Sequence, residues 1–199
     1  TIQYRRYPEQ RGTGVDFDLF SDTSASHQAY NSLIDLAEQE IVDGDEGTGF
    51  ARLDQTISRA EAVKIFTRAR EDTLKQGDCI DLSLFPDVDK NDWFHDFVQN
   101  MEYQDIVHGY DDGYYRPGRS INKAELYKIA AISFGYLTKD EADRMIYGTN
   151  RQWYEPYESV LEQSGIVPHW FSDRAIDESL SRGDVFGLLA NFLYKTDGL

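Results

Sequence analysis

Three short stretches of the chain place apolar residues at helical spacing. They carry Ala62, Ile65, Phe66 and Ala69, then Leu126, Ile129 and Ala130, then Val185, Leu188, Leu189, Phe192 and Leu193. Recurrence every three to four residues puts each set on one face of an α-helix. Upstream of each stripe, a further amphipathic helix is predicted over about residues 27–40, 92–104 and 153–164, with Leu33 and Leu36, Phe97 and Met101, and Tyr157 and Leu161 facing inward. One apolar stripe on a short helix cannot be buried alone, so the three stripes are expected to face one another, with the upstream helices packed outside them.

These paired helices are copies of one unit. The clearest copy runs from Phe85 to Phe134 as an acidic turn, a helix, a Gly-rich loop and a second helix. In register, Phe85, Asp87, Ile106, Val107 and Gly109 fall on Phe20, Asp22, Ile41, Val42 and Gly44, while Trp93, Met101, Ile106 and Val107 fall on Trp153, Leu161, Ile166 and Val167. The copies tile residues 17–70, 85–135 and 150–196, after an extension over 1–16 and around connectors over 71–84 and 136–149. The second connector is expected to hold a short helix after Thr138. The pattern predicts a compact all-α domain of three helix-loop-helix repeats in a pseudo-threefold arrangement around a central three-helix bundle.

Charge narrows the partners. A formal net charge of -16 over 199 residues leaves no general footprint for nucleic acid or an anionic membrane, so an anionic ligand must be held by local cations. Cys79 is alone, which excludes an intrachain disulfide. No run approaches the roughly 20 apolar residues of a membrane span. Residues 1–16 lack the apolar core of a secretory signal, and with Thr1 in first place a processed chain is expected. Thirteen Tyr suit a surface that meets polar ligands through amphipathic rings.

The tetrapeptides SRAE, NKAE and SRGD open the three second helices. Ser58, Asn122 and Ser181 are good N-cap residues, and Glu61, Glu125 and Asp184 three positions later complete capping boxes. Capping does not explain the second position. Arg59, Lys123 and Arg182 stand at the first helical residue, where the macrodipole disfavours a cation. Two explanations stay open: an anion site shared with free helical N–H groups, or an ion pair with Asp22, Asp87 or another repeat acid.

The run FPDVDKNDWFHDFVQNMEYQDIVHGYDDGYYRPGRSINKAE resembles the S-layer homology motif: an F-x-D turn, a Trp-led helix, G-I-V-x-G-Y-x-D-G-x-F-x-P, and T-R-A-E opening the next helix. Phe85, Asp87, Trp93, Ile106, Val107, Gly109, Tyr110, Asp112, Gly113, Tyr114 and Pro117 stand at pattern positions. Copy one has Gln28 in place of Trp but keeps SRAE. Copy three keeps Trp153 and Gly165, Ile166 and Val167, but lacks the loop glycines. The resemblance implies an exported, non-catalytic domain whose inter-repeat grooves bind pyruvylated secondary cell-wall polysaccharide or a peptidoglycan-associated glycan. It implies Arg59, Lys123 and Arg182 as contacts to the acidic ketal, with Trp93, Tyr110 and Trp153 as stacking platforms. An ammonium at Lys123 cannot make the bidentate contact of a guanidinium. Other S-layer subunits are further expected partners, whereas nucleic acid and membrane insertion are not expected.

Other features read more plainly. Gly109, Gly113 and Gly118 suit a tight interhelical loop. The run DVDKND imitates the start of a calcium loop, but Asp92 stands where glycine is needed and Val98 where glutamate is needed. Calcium is compatible with the acidic composition at no assigned site, and no cofactor is expected. Asp111 and Asp112 are adjacent on a loop, poorly held for a glycosidase pair. His27, His95, His108 and His169 form no metal-ligand spacing, and no nucleophile elbow or phosphate loop is present. The rival reading is a lattice or partner-protein domain with decayed grooves. A glycan-processing enzyme is the third.

Overall fold

A computed structural model describes residues 20–70 and 85–195. The extension over 1–16, the start of copy one at 17, the connector over 71–84 with Cys79, and residue 196 lie outside the described residues. Among the described residues there are eight helices and no strand: α1 (Tyr30–Glu38), α2 (Arg59–Ala69), α3 (His95–Tyr103), α4 (Lys123–Ser133), α5 (Lys139–Ile146), α6 (Glu155–Ser164), α7 (His169–Ser172) and α8 (Arg182–Lys195).

The second helices start where their caps dictate. Ser58 and Asn122 each accept the N–H of the glutamate three positions on, whose side chain returns to the cap N–H. Ser181 and Asp184 do the same, at 3.1 Å and 2.8 Å. Thr138 closes a fourth capping box with Glu141 and starts the expected connector helix, α5. The first helices begin two or three residues later than the apolar pattern predicts. Tight turns precede them, with Tyr30 N–H donating to His27 O, His95 N–H to Asp92 O and Glu155 N–H to Gln152 O at 2.9, 3.1 and 3.1 Å. Such turns tighten a chain without changing which residues are apolar.

Packing crosses the copies in cyclic order. α3 packs on α2, α6 on α4, and α1 on α8, so each first helix lies against the second helix of the preceding copy. α2 also touches α4 and α8. At their meeting point Phe134 stacks on Phe192 at 4.6 Å and meets Phe66 edge-on at 6.0 Å. Every apolar stripe residue named above is buried, as are Leu33, Leu36, Met101, Tyr157 and Leu161, while Phe97 is half-buried against the core.

The extended residues before the second helices join in a closed ring. Ile57 N–H donates to Leu180 O, Leu180 N–H to Ile121 O, and Ile121 N–H to Ile57 O, at 3.0, 2.9 and 3.0 Å. All three side chains are fully buried, which shields the ring from competing water.

The F-x-D aspartates fasten the loops. Asp22 accepts the N–H groups of Ala51 and Arg52, both at 2.8 Å, and Asp87 those of Tyr115 and Arg116 at 2.9 and 2.7 Å. Arg52 and Arg116 are left-handed, with φ of 50° and 59°, a conformation that the fixed N–H contacts hold in place. Of the three loop glycines, Gly113 has positive φ (83°), whereas Gly109 is needed for close approach: a Cβ there would lie 2.6 Å from the Phe85 ring. In DVDKND, Asp89 accepts from Asn91 and Asp92 accepts from the Asp89 N–H, so this stretch is a self-bonded turn. No group of three metal-ligating side chains occurs among the described residues.

Candidate functional site

The helical N–H groups beside the motif cations are already occupied. Arg59 and Ala60 donate to Arg119 O and Pro117 O, Lys123 and Ala124 to Glu178 O and Ile176 O, and Arg182 and Gly183 to Gln55 O and Leu53 O, all within 2.8–3.3 Å. The caps take the next amide in each case. An anion site built on free helix-end amides, one of the two explanations raised above, is therefore absent at these three helices.

The cations follow the same route into the next copy. Arg59 donates through Nε to Tyr115 O and through Nη2 to His108 O, both at 3.0 Å, and its Nη1 stands 3.1 Å from Glu125. Arg182 donates to Ala51 O at 2.8 Å and stands 3.3 Å from Glu61. Both arginines thus pair with the motif glutamate of the following copy, while Asp22 and Asp87 serve backbone amides. Lys123 donates to Ser172 O and Arg174 O at 2.7 and 3.0 Å and lies 3.8 Å from Glu162. The corresponding link to Asp184 is missing, because a carboxylate one methylene shorter meets an ammonium. Arg174 takes that place, 2.8 Å from Asp184.

Two grooves flank these contacts. The first, about 400 Å³, is lined by Arg59, Tyr110, Glu125, Lys128, Lys139 and Trp153. The second, about 220 Å³, is lined by Asp43, Glu61, Lys64, Arg68, Trp93 and Arg182. In the repeat register they are the same place: one loop and second helix, the motif arginine of the copy before, and the tryptophan of the copy after. The structure therefore brings Arg59, Tyr110 and Trp153 together, and separately Arg182 with Trp93. Lys123 lines neither groove.

Trp93 and Trp153 are 55 % and 46 % exposed, so neither caps the core. Each stands edge-on to the next aromatic, Phe94 or Tyr154, with rings crossed at 87°. Tyr110 is held on all sides. Its hydroxyl donates to Glu125 and accepts from Arg119 Nη1 at 2.5 Å, and the guanidinium carbons of Arg59, Arg116 and Arg119 lie 4.9, 4.5 and 5.1 Å from its ring centre. Burial first, and then the Glu125 contact, push its hydroxyl pKa up.

Sequence reasoning missed Lys64 and Lys128. They occupy the same step of α2 and α4, five residues after the motif cation, and SRAEAVK beside NKAELYK carried that signal. Among the described residues neither ammonium has a hydrogen bond or an ion pair; Lys64 stands 5.6 Å from the Trp93 ring centre. Burial, followed by the positive charges of Lys139 and Arg59, pulls Lys128 down to about 8. Burial and then Arg68 lower Lys64. Helix α5 adds Lys139 and Asp143, paired at 2.8 Å, to the wall of the first groove.

In copy three the same helical step is Gly187. A Cβ there would lie 2.5 Å and 2.7 Å from two ring carbons of Trp170, so the indole occupies the space that a lysine stem takes in the other copies.

The chain is similar to bacterial surface proteins. It is 28 % identical over 149 residues to the middle cell wall protein of Brevibacillus brevis, covering 74 % of this chain and 13 % of that protein. It is 28 % identical over 155 residues to the surface-layer 125 kDa protein of Lysinibacillus sphaericus, covering 76 % of this chain and 12 % of that protein. It is 25 % identical over 121 residues to an endoglucanase of a Bacillus species, covering 61 % of this chain and 12 % of the enzyme. The chain thus spans about an eighth of the length of these relatives. Two segments of it, residues 19–63 and 84–126, match the S-layer homology domain.

Proposed function

We propose that this chain is a non-catalytic module that holds a larger surface protein to a bacterial cell wall by binding an acidic wall glycan. The substrate class is pyruvylated secondary polysaccharide or a peptidoglycan-associated glycan. The matched family segments and the surface-protein relatives support the anchoring role. One observation carries the glycan reading: two equivalent grooves each gather an exposed tryptophan, a motif arginine and a lysine on a molecule of net charge -16. Aromatic faces suit sugar rings, and local cations suit an acidic substituent in an otherwise repelling field. We read the three copies as one pseudo-threefold unit around α2, α4 and α8, a view supported by the closed ring of hydrogen bonds. Two weak grooves on one rigid body raise avidity without new contacts.

Cosedimentation of the purified chain with cell-wall sacculi tests this reading. Binding is expected, and is expected to fall roughly tenfold or more when Trp93 and Trp153 are both replaced by alanine. The filled position at Gly187 favours the rival in which the domain makes lattice or partner-protein contacts. Failure to bind any wall fraction would select that rival.

A further inference from the structure

We propose that Lys64 and Lys128, rather than the motif cations, meet the anionic group of the ligand, and that the chain therefore carries two binding sites and a third, self-filled position. The inference rests on the glycan reading above and adds which residues read the charge and how many sites there are.

The motif cations are committed elsewhere. Arg59 is 6 % exposed, and all three of its guanidinium nitrogens face protein oxygens in copy two. Arg182 has its Nε on Ala51 O and a terminal nitrogen on Glu61. Lys123 is 2 % exposed and bound to two carbonyls. A guanidinium whose charge is matched at about 3 Å by a carboxylate offers little net attraction to a second anion. To grip a ligand it must also release protein contacts that hold two copies together.

Lys64 and Lys128 are in the opposite state. Each lines a groove, each is partly exposed, and among the described residues neither ammonium lies within ion-pair distance of a carboxylate. Each also shares its groove with the exposed tryptophan of the next copy, Trp93 or Trp153. An unpaired ammonium beside an exposed aromatic face gives a sugar acid both of its contacts, one charged and one stacked. Burial, and then the positive charges of Lys139 and Arg59, hold the Lys128 pKa low, and an anion in the groove would raise it.

The third position lacks every part of this arrangement. Gly187 replaces the lysine, Trp170 fills the space over it, and Asn191 donates to Ile166 O at 2.8 Å beside it. The motif acid Asp184 is fully buried against Arg174. Copy three thus supplies its own occupant.

Calorimetry on the whole chain decides the matter, using a methyl hexoside bearing a pyruvyl ketal as probe and its methyl ester as the uncharged control. Two sites per chain are expected for the acid, with the ester weaker by roughly ten- to a hundredfold, the scale of a hydrogen bond to a charged group. Lys128→Met and Lys64→Met should each leave one site and the double variant none, while Lys128→Arg keeps both. Circular dichroism establishes that each variant is folded, and Lys→Gln variants replace any methionine variant that is not. A count of one or three sites, ester binding equal to the acid, or undiminished binding by the double variant overturns the proposal while leaving glycan binding intact. No heat from the wild-type chain with either probe overturns this proposal and the glycan reading together.

Discussion

All three guanidinium nitrogens of Arg59 are engaged by copy two, against a glutamate whose side chain is only 10 % exposed. Replacing Arg59 by alanine removes the guanidinium 3.1 Å from Glu125 and two bonds to copy-two carbonyls, leaving Arg119 at 3.6 Å and Tyr110 as partners of this carboxylate, with an expected loss of about 2–3 kcal/mol in denaturant melts. Lys128 behaves differently because burial works against its charge. Its folded pKa of about 8 lies below the ordinary lysine value of 10.5. Between those two values the unfolded chain binds the proton and the native chain releases it, so this residue makes stability rise with pH across that window. The groups that set the shift are Lys139, Arg59, Asp143 and Asp105, and Glu125, Asp111 and His108 share the groove. Thermal melts at pH 7 and pH 10 should show a rise that is larger in the wild type than in Lys128→Met. Affinity for an anionic glycan should fall as pH passes about 8. The sequence placed Arg59 at a helix start and raised an ion pair with a repeat acid as one of two explanations. It could not reveal that the partner loop belongs to another copy, since a register relates copies without saying which ones touch.

Helix starts and apolar faces were legible because capping boxes and 3.6-residue spacing are local properties, and Ser58, Asn122, Ser181 and Thr138 all cap as their sequences require. The first helices were overextended at their N-terminal ends because His27, Asp92 and the residues after Trp153 enter turns that preserve the amphipathic pattern. The role of α5 in walling a groove was illegible, since it depends on where a connector lies after folding. At α8, Gly187→Ala drives a methyl group into the Trp170 ring, with an expected cost of about 1–3 kcal/mol. Trp170→Ala in the same chain should recover part of that cost in a double-mutant cycle, as touching side chains do not act additively.

At the scale of the molecule, α1 is covered by α8, and α4 by α6. Removing the third copy by ending the chain at residue 149 therefore exposes the buried faces of the first and second. Such a fragment is expected to lose cooperative unfolding and amide-exchange protection in the remaining two copies, in contrast to an open solenoid, which tolerates loss of an end. The all-helical fold and the motif segments over 19–63 and 84–126 were legible, while the packing of α3 on α2, α6 on α4 and α1 on α8 was not. The hydrogen-bonded ring of Ile57, Leu180 and Ile121 has a mechanical meaning for a module proposed to hold a load. It makes the first copy a neighbour of the last, so there is no outermost copy to peel away. Tension drawn between the glycan and the rest of a surface protein is shared by three interfaces in parallel, and force spectroscopy should record one rupture event instead of a staircase.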